Sequence, residues 1–293
     1  MRKCGEWRAA ASAVGAAAAT GYASGRALVI FFMQLGWAAW PGVMLAAASF
    51  ALLLTGCARL CVRADAGGFA ALCCRMLGRG KARVVGVFHG LLLAMAAAVS
   101  ILNAGELGAL TLPIDRGFLW GMGAALALAA LLNLRGGRGM AAVGAAASGL
   151  AVLFYLALAL DPRPPRLYLT GEAVLTLSGS VWAMLALALC HTSLNACVAA
   201  DALCRRVNAQ TDPRRLGLMC AAGMAAPLLA GCAALSRGGP LLLASALPTV
   251  PLAARWGLAG FWICAGFGYF CNVATLAAAL GGLWGWLDVR RRC

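Results

Sequence analysis

Stretches of about twenty apolar residues with almost no charge recur along this whole chain, and they leave few folds open to it. They run at roughly 9–36, 41–62, 84–104, 117–134, 139–160, 175–200, 216–236 and 257–287. As a helix, a run of 18 or more such residues spans the hydrocarbon core of a bilayer, about 30 Å thick. No water reaches the backbone there, so each segment must satisfy its own N–H and C=O groups by coiling. Of the 293 residues 63% are hydrophobic and only 11% charged, where a soluble domain carries about 25%. The chain therefore reads as an all-α polytopic membrane protein. It forms a single transmembrane domain over 1–293 with about eight transmembrane helices.

The net charge of +15 invites a nucleic-acid reading, but its distribution argues for a membrane. With the N-terminus placed in the cytoplasm, 18 Lys and Arg fall on the inner side and five outside (Arg116, Arg163, Arg166, Arg237 and Arg255), with Arg26 left inside the first span. That asymmetry follows the positive-inside rule. It predicts a multi-pass protein of the bacterial cytoplasmic (inner) membrane with both termini cytoplasmic. The expected partners are the lipid bilayer, whose anionic headgroups the basic loops meet, and a small-molecule solute, with no nucleic acid. A signal peptide is the alternative for the N-terminus. Glu6 and Arg8 crowd its charged region, and its core is Ala-rich instead of Leu-rich.

Thirteen cysteines suggest a framework that their placement does not support. Cys57, Cys190, Cys197, Cys220, Cys232, Cys264 and Cys271 fall inside spans, where small residues let helices approach. Cys4, Cys73, Cys74 and Cys293 fall in segments placed inside the cell, where thiols stay reduced. With no CxxC and no paired His, no metal site is expected. Cys190, Cys197 and Cys204 recur every seven residues and are expected to share a packed helix face.

The first apolar segment is broken near its middle by Gly21-Tyr22-Ala23-Ser24-Gly25. Unwound backbone at membrane depth persists only where it is buried in protein or lines a polar cavity, and transporters bind solutes and ions at such breaks. Two half-helices are predicted, the second over 27–36. Segment 63–83 reads as a short interfacial helix, and 161–174 as a rigid external loop because its prolines end any helix. The apolar stretch 238–256 is interrupted by Pro240, Pro248 and Pro251, which predicts an external re-entrant hairpin. The last span is too long for a straight crossing, and its glycines suggest tilt, close packing or a break.

Val14, Gly15, Gly21, Tyr22, Ala23, Ser24 and Gly25 resemble the first-helix pattern V-G-x-x-x-G-A-G-F-A-S-G-Q-E of the YkvI-type bacterial membrane proteins, relatives of the amino acid–polyamine–cation transporter superfamily. Ala104-Gly105-Glu106-Leu107 and Leu194-Asn195 look similar as well. The resemblance implies a shortened LeuT-like inverted-repeat fold. Repeat one would cover about 9–160 and a partial repeat two about 175–288, with helices 1 and 6 broken and the hairpin at 238–256 between spans seven and eight. Three features depart from the pattern: Arg26-Ala27 replaces Gln-Glu, Ala19-Thr20 replaces Gly-Ala, and only eight spans are present.

From these residues the expected function is secondary transport, by alternating access, of a small amino-acid-like or amine-bearing solute. The alternative is a non-transporting scaffold or receptor with a degenerate transporter fold. The expected solute site comprises Gly21, Tyr22, Ala23, Ser24 and Gly25 with His191, Thr192, Ser193 and Asn195. Polar side chains such as the latter four are costly at membrane depth unless they face a cavity or another helix. Gate or ion-coupling candidates are Arg26, paired with Glu106, together with Asn272 and Thr275. The coupling ion would be Na⁺ or H⁺; His191 titrates in the right range for a proton, while the paired Thr of the sodium site is not evident. His89, between Gly86 and Gly90, is expected to serve helix packing. A Ser24–His191 hydrolase dyad lacks the Gly-x-Ser-Gly context, and no HExxH is present, so no enzyme and no cofactor are expected.

Overall fold

A computed structural model describes residues 3–18, 25–112, 114–163, 180–238 and 248–292. The chain is helical: α1 (Lys3–Ala18), α2 (Arg26–Phe31), a 3-10 turn (Met33–Ala38), α3 (Ala39–Ala64), α4 (Phe69–Thr111), α5 (Gly117–Leu134), α6 (Gly136–Leu160), α7 (Val181–Cys204), α8 (Pro213–Ser236), α9 (Thr249–Ala253), a short 3-10 turn (Ala254–Trp256) and α10 (Gly257–Arg292). Seven helical segments among the described residues are long and apolar enough to cross a membrane. The chain is thus a polytopic membrane protein by length and composition. The eighth expected span is the first, of which 19–24 lie outside the described residues.

Two helices rich in small residues form the centre. Every residue from Ala9 to Ala17 in α1 is buried, as is every residue from Cys271 to Ala279 in α10. Such burial on all sides needs close neighbours, and Ala and Gly allow it. Gly15 of α1 lies directly on Gly144 of α6, where a Cβ would overlap backbone, and a Cβ on Gly223 of α8 would meet the Val14 side chain at 2.9 Å. On α10, Gly282 receives Leu93 of α4 and Gly281 receives Asn133 of α5. Asn133 Nδ2 also donates to the Ala277 carbonyl at 2.9 Å.

The α4–α5 hairpin closes through its own glycines. A Cβ on Gly108 would lie 2.5 Å from the Gly117 carbonyl, and one on Gly105 would lie 2.7 Å from the Phe118 ring. Ala104 and Gly105, two of the residues that carry the family resemblance, therefore serve helix contact. α4 bends at Gly78, whose φ of 75° interrupts an otherwise helical run; Phe69 to Leu77 form a separate short arm. α10 is longer than a perpendicular crossing requires, yet it is assigned as one helix from Gly257 to Arg292.

Two expectations about the spans need correction. After α2, Phe32 leaves helical geometry (φ −132°, ψ −54°) and the 3-10 turn carries Gly36 at φ 59°, so the second half-helix is six residues instead of the run over 27–36. The described part of the sixth span is not broken: α7 is continuous from Val181 to Cys204, and 175–179 lie outside the described residues. Its sequence contains no Gly or Pro that would favour unwinding. Of the proposed hairpin, 239–247 lie outside the described residues. The remainder forms α9 and a 3-10 turn that ends at left-handed Gly257.

The two ends of the bundle differ. Arg59, Arg63, Arg75, Arg79, Lys81, Arg83, Arg205, Arg206, Arg214 and Arg215 fall at or near the end where α3 and α7 finish and α4 and α8 begin. The opposite end is closed by a buried pair, Asp161 after α6 and Arg255 before α10. Arg255 Nε lies 3.5 Å from Asp161 Oδ2, and its guanidinium also donates to the Arg163 carbonyl at 2.9 Å and to the Leu158 carbonyl. Trp256 and Arg163 donate to the same carboxylate. Hydrogen bonds from Arg163 hold the Asp161 carboxyl well below the usual carboxylate range.

Candidate functional site

α1 is described to Ala18, and α2 begins at Arg26. Gly21, Tyr22, Ala23 and Ser24, the heart of the sequence motif, lie outside the described residues. Gly25 is buried at φ 75°, and a Cβ there would meet Thr249 Cγ2 at 3.2 Å. That is left-handed backbone, which glycine adopts without the cost a side chain brings. α2 therefore begins after a residue whose identity the backbone requires.

Helices α7 and α10 flank the end of α1. Ala16 packs in one apolar cluster with Val198 of α7 and with Val273, Leu276 and Ala277 of α10. His191 and Asn195, one turn apart on α7, are 2% and 3% exposed, while Asn272 and Thr275 on α10 are 6% and 0% exposed. His191 stands about 15 Å along α7 from its start and Asn272 about 22 Å along α10 at the ordinary helical rise. Four buried polar side chains thus sit at middle depth, within about two turns of the contacts made by the last residues of α1.

Their hydrogen bonds are mostly local. Asn195 Nδ2 donates to the His191 carbonyl at 2.8 Å and Asn272 Nδ2 to the Gly268 carbonyl at 2.9 Å. The His191 ring is held edge-on between Phe31 and Phe32, with centroids 5.3 and 5.0 Å away, so the residues after the break touch α7. The Thr275 hydroxyl is fully buried and finds no hydrogen-bond partner among the described residues. A buried hydroxyl in that state costs about 1–3 kcal/mol.

Three expected members lie in other surroundings. Thr192 Oγ1 donates to the Ala46 carbonyl of α3 at 3.0 Å, so it fastens two helices. Ser193 is exposed beside Cys190 and Leu194, because two residues' rotation from His191 carries it to the outer face. Glu106 is exposed on the outward face of α4 in line with Met95 and Leu102, and it is absent from the ion pairs among the described residues. The Arg26–Glu106 gate is therefore not formed. Arg26 is exposed at the start of α2 and is held by other interactions. The cysteine heptad also fails to share one environment: Cys190 is exposed, Cys197 half-buried and Cys204 buried.

His89 has a packing role. Its Nδ1 accepts from Trp286 Nε1 at 2.7 Å and its Nε2 faces the Cys197 carbonyl at 2.8 Å. Because the indole can only donate, the proton resides on Nε2 and the ring is neutral. Gly86 makes room for the same Trp286 ring.

Sequence reasoning missed Asp201, an acid buried in α7. It is paired with Arg205 at 2.7 Å and accepts from the Phe69 backbone at 3.4 Å. The pair borders a cavity of about 500 Å³ at the arginine-rich end, lined also by Gly68, Arg75 and Gly285. The expected span stops at residue 200, one short of Asp201, which hid the signal that an ionisable residue inside a membrane helix carries. Also missed was a cluster of three thiols, Cys57, Cys61 and Cys204, whose sulfurs lie within 4.8 Å of one another.

In comparisons with known proteins, no protein-family model matches the chain and no curated protein matches it significantly.

Proposed function

We propose that this protein is a secondary transporter of the inner membrane, taking a small amino-acid-like or amine-bearing solute at the interruption of its first span. The observation that carries the reading is Gly25, buried at φ 75° directly before α2 in the segment that follows the enclosed run Ala9–Ala17. Membrane proteins place an interrupted helix at depth where a ligand uses the freed backbone groups. His191, Asn195, Asn272 and Thr275 would add side-chain donors and acceptors from α7 and α10. The likeness of 14–25 to the YkvI-type first helix supports the same reading. Transport would proceed by binding and conformational exchange, with Na⁺ or H⁺ as the coupling ion.

A degenerate scaffold is the rival reading, favoured by unbroken α7 and by the use of Thr192 for packing. Thermal unfolding of the purified protein against a panel of amino acids and amines, with and without Na⁺ at pH 5.5 and 7.5, separates the two. A ligand that binds only the folded state raises its stability by about 2.7 kcal/mol at a hundred times its Kd. Transport predicts such a shift for one chemical class, lost in His191→Ala and Asn195→Ala. A flat panel favours the scaffold.

A further inference from the structure

We propose that Cys57, Cys61 and Cys204 form a three-thiolate site for a soft, thiophilic cation of the cuprous class. Cys57 and Cys61 are four residues apart on α3 and so project from one face, and Cys204 is the last residue of α7. Cys204 Sγ lies 2.8 Å from Cys61 Sγ and 3.3 Å from Cys57 Sγ. Cys61 and Cys204 are 2% and 0% exposed, whereas Cys57 is only half-buried and opens the cluster on one side.

The surroundings select the ligand. Ala66 and Leu72, with half-buried Phe69, Ala71 and Val207, wall the cluster. No His or carboxylate joins the three thiols among the described residues. Zinc in a structural site takes four N, S or O ligands, which this cluster does not supply, whereas Cu⁺ is soft, suits thiolates and is satisfied by three of them. A planar trithiolate with bonds of about 2.3 Å spaces its sulfurs about 4 Å apart, so the thiols need to spread by about 1 Å. On binding, three S–H bonds are lost, three protons pass to solvent and three S–Cu bonds form with no change of oxidation state. The complex keeps two negative charges. Arg59, Arg63 and Arg206 lie on the same two helix ends, so that charge falls at the cationic end of the bundle.

The test uses the full-length protein in detergent, reduced and without oxygen, titrated with Cu⁺ against a chromophoric Cu⁺ chelator. One Cu⁺ per chain should be retained, and Cys57→Ala, Cys61→Ala and Cys204→Ala should each weaken it by about 100-fold, one ligand's share of the affinity of a typical thiolate site. Cys220→Ala and Cys271→Ala, buried thiols on other helices, should leave it unchanged. Cu⁺ should raise the melting temperature of the wild type and not of the Cys61→Ala, Cys204→Ala double variant. Should loss of Cys204 prevent folding, the half-buried Cys57→Ala carries the comparison. Equal Cu⁺ affinity in the triple variant, or Zn²⁺ bound as tightly as Cu⁺, overturns the proposal. A Cys61–Cys204 disulfide forming in air, in a chain that binds no Cu⁺ when reduced, also overturns it in favour of a redox pair.

Discussion

Replacing Thr275 with valine should make the protein more stable, which is unusual for a change at the centre of a bundle. The Thr275 side chain is 0% exposed and its hydroxyl finds no partner among the described residues. Valine puts a methyl group where that hydroxyl stands and removes an unmet hydrogen-bonding group costing about 1–3 kcal/mol. Valine's rotamer preferences in a helix return part of the gain, so a net of about 1–2 kcal/mol is expected. For a chain of this size that is a rise of a few degrees in melting temperature, read by tryptophan fluorescence in detergent. Thr275→Ser, which keeps the hydroxyl and loses the methyl, should melt lower than wild type by about 1 kcal/mol, the cost of a small cavity. If a solute from the panel stabilises the wild type through this hydroxyl, its effect should survive in the serine variant and vanish in the valine variant. A valine variant that melts below wild type refutes the reasoning, because it shows the hydroxyl to be bonded in the free protein.

Three further outcomes follow from the packing. His89→Leu strands the Trp286 N–H that donates to it at 2.7 Å and should cost about 1–3 kcal/mol; a double-mutant cycle with Trp286→Phe should give coupling above about 0.5 kcal/mol, and none would remove the bond. Gly121→Ala presses a methyl group against Ala104 and within 2.9 Å of Gly108 Cα and should destabilise by about 1–3 kcal/mol, whereas Gly123→Ala, with open space around it, should gain up to about 1 kcal/mol from helix propensity; equal melting temperatures would contradict the close α4–α5 contact. Because hydrogen bonds from Arg163 depress the Asp161 carboxyl, its stabilisation is present above the unfolded value of about 3.9 and fades as pH falls through the lower folded value. Asp161→Asn should therefore melt well below wild type at pH 7 and approach it only below about pH 3, and a gap constant from pH 7 to pH 2 would contradict the ion pair.

Hydropathy and the arginine distribution were sufficient to read the membrane class and most span positions, because the bilayer imposes one secondary structure and one length. The continuity of α7 was also legible, since nothing between Val181 and Cys204 breaks a helix. So was the outward turn of Ser193, given that His191 and Asn195 share a face and Ser193 lies opposite. The breadth of the polar run at 190–195 concealed both. Contacts across many residues were not legible. Asp161 meets Arg255 across 94 positions and Cys61 meets Cys204 across 143, and no local spacing encodes either meeting. Cys57 and Cys61 form no CxxC motif, yet their four-residue spacing brings them to one face of a helix.

The enclosure of α1 bears on how the protein is made. α1 leaves the ribosome before α6, α7, α8 and α10, the helices that later surround it. Its Ala-rich surface has little affinity for lipid. Alone it is a poor membrane resident. Its settled position depends on α6, α7, α8 and α10, all of which are synthesised later. The earliest part of the chain is therefore among the last to be committed, and insertion has to hold it at the membrane surface or within the insertion machinery meanwhile. In truncated nascent chains ending before α6, a reporter fused near residue 25 should read incomplete insertion that lengthening the chain past α8 corrects.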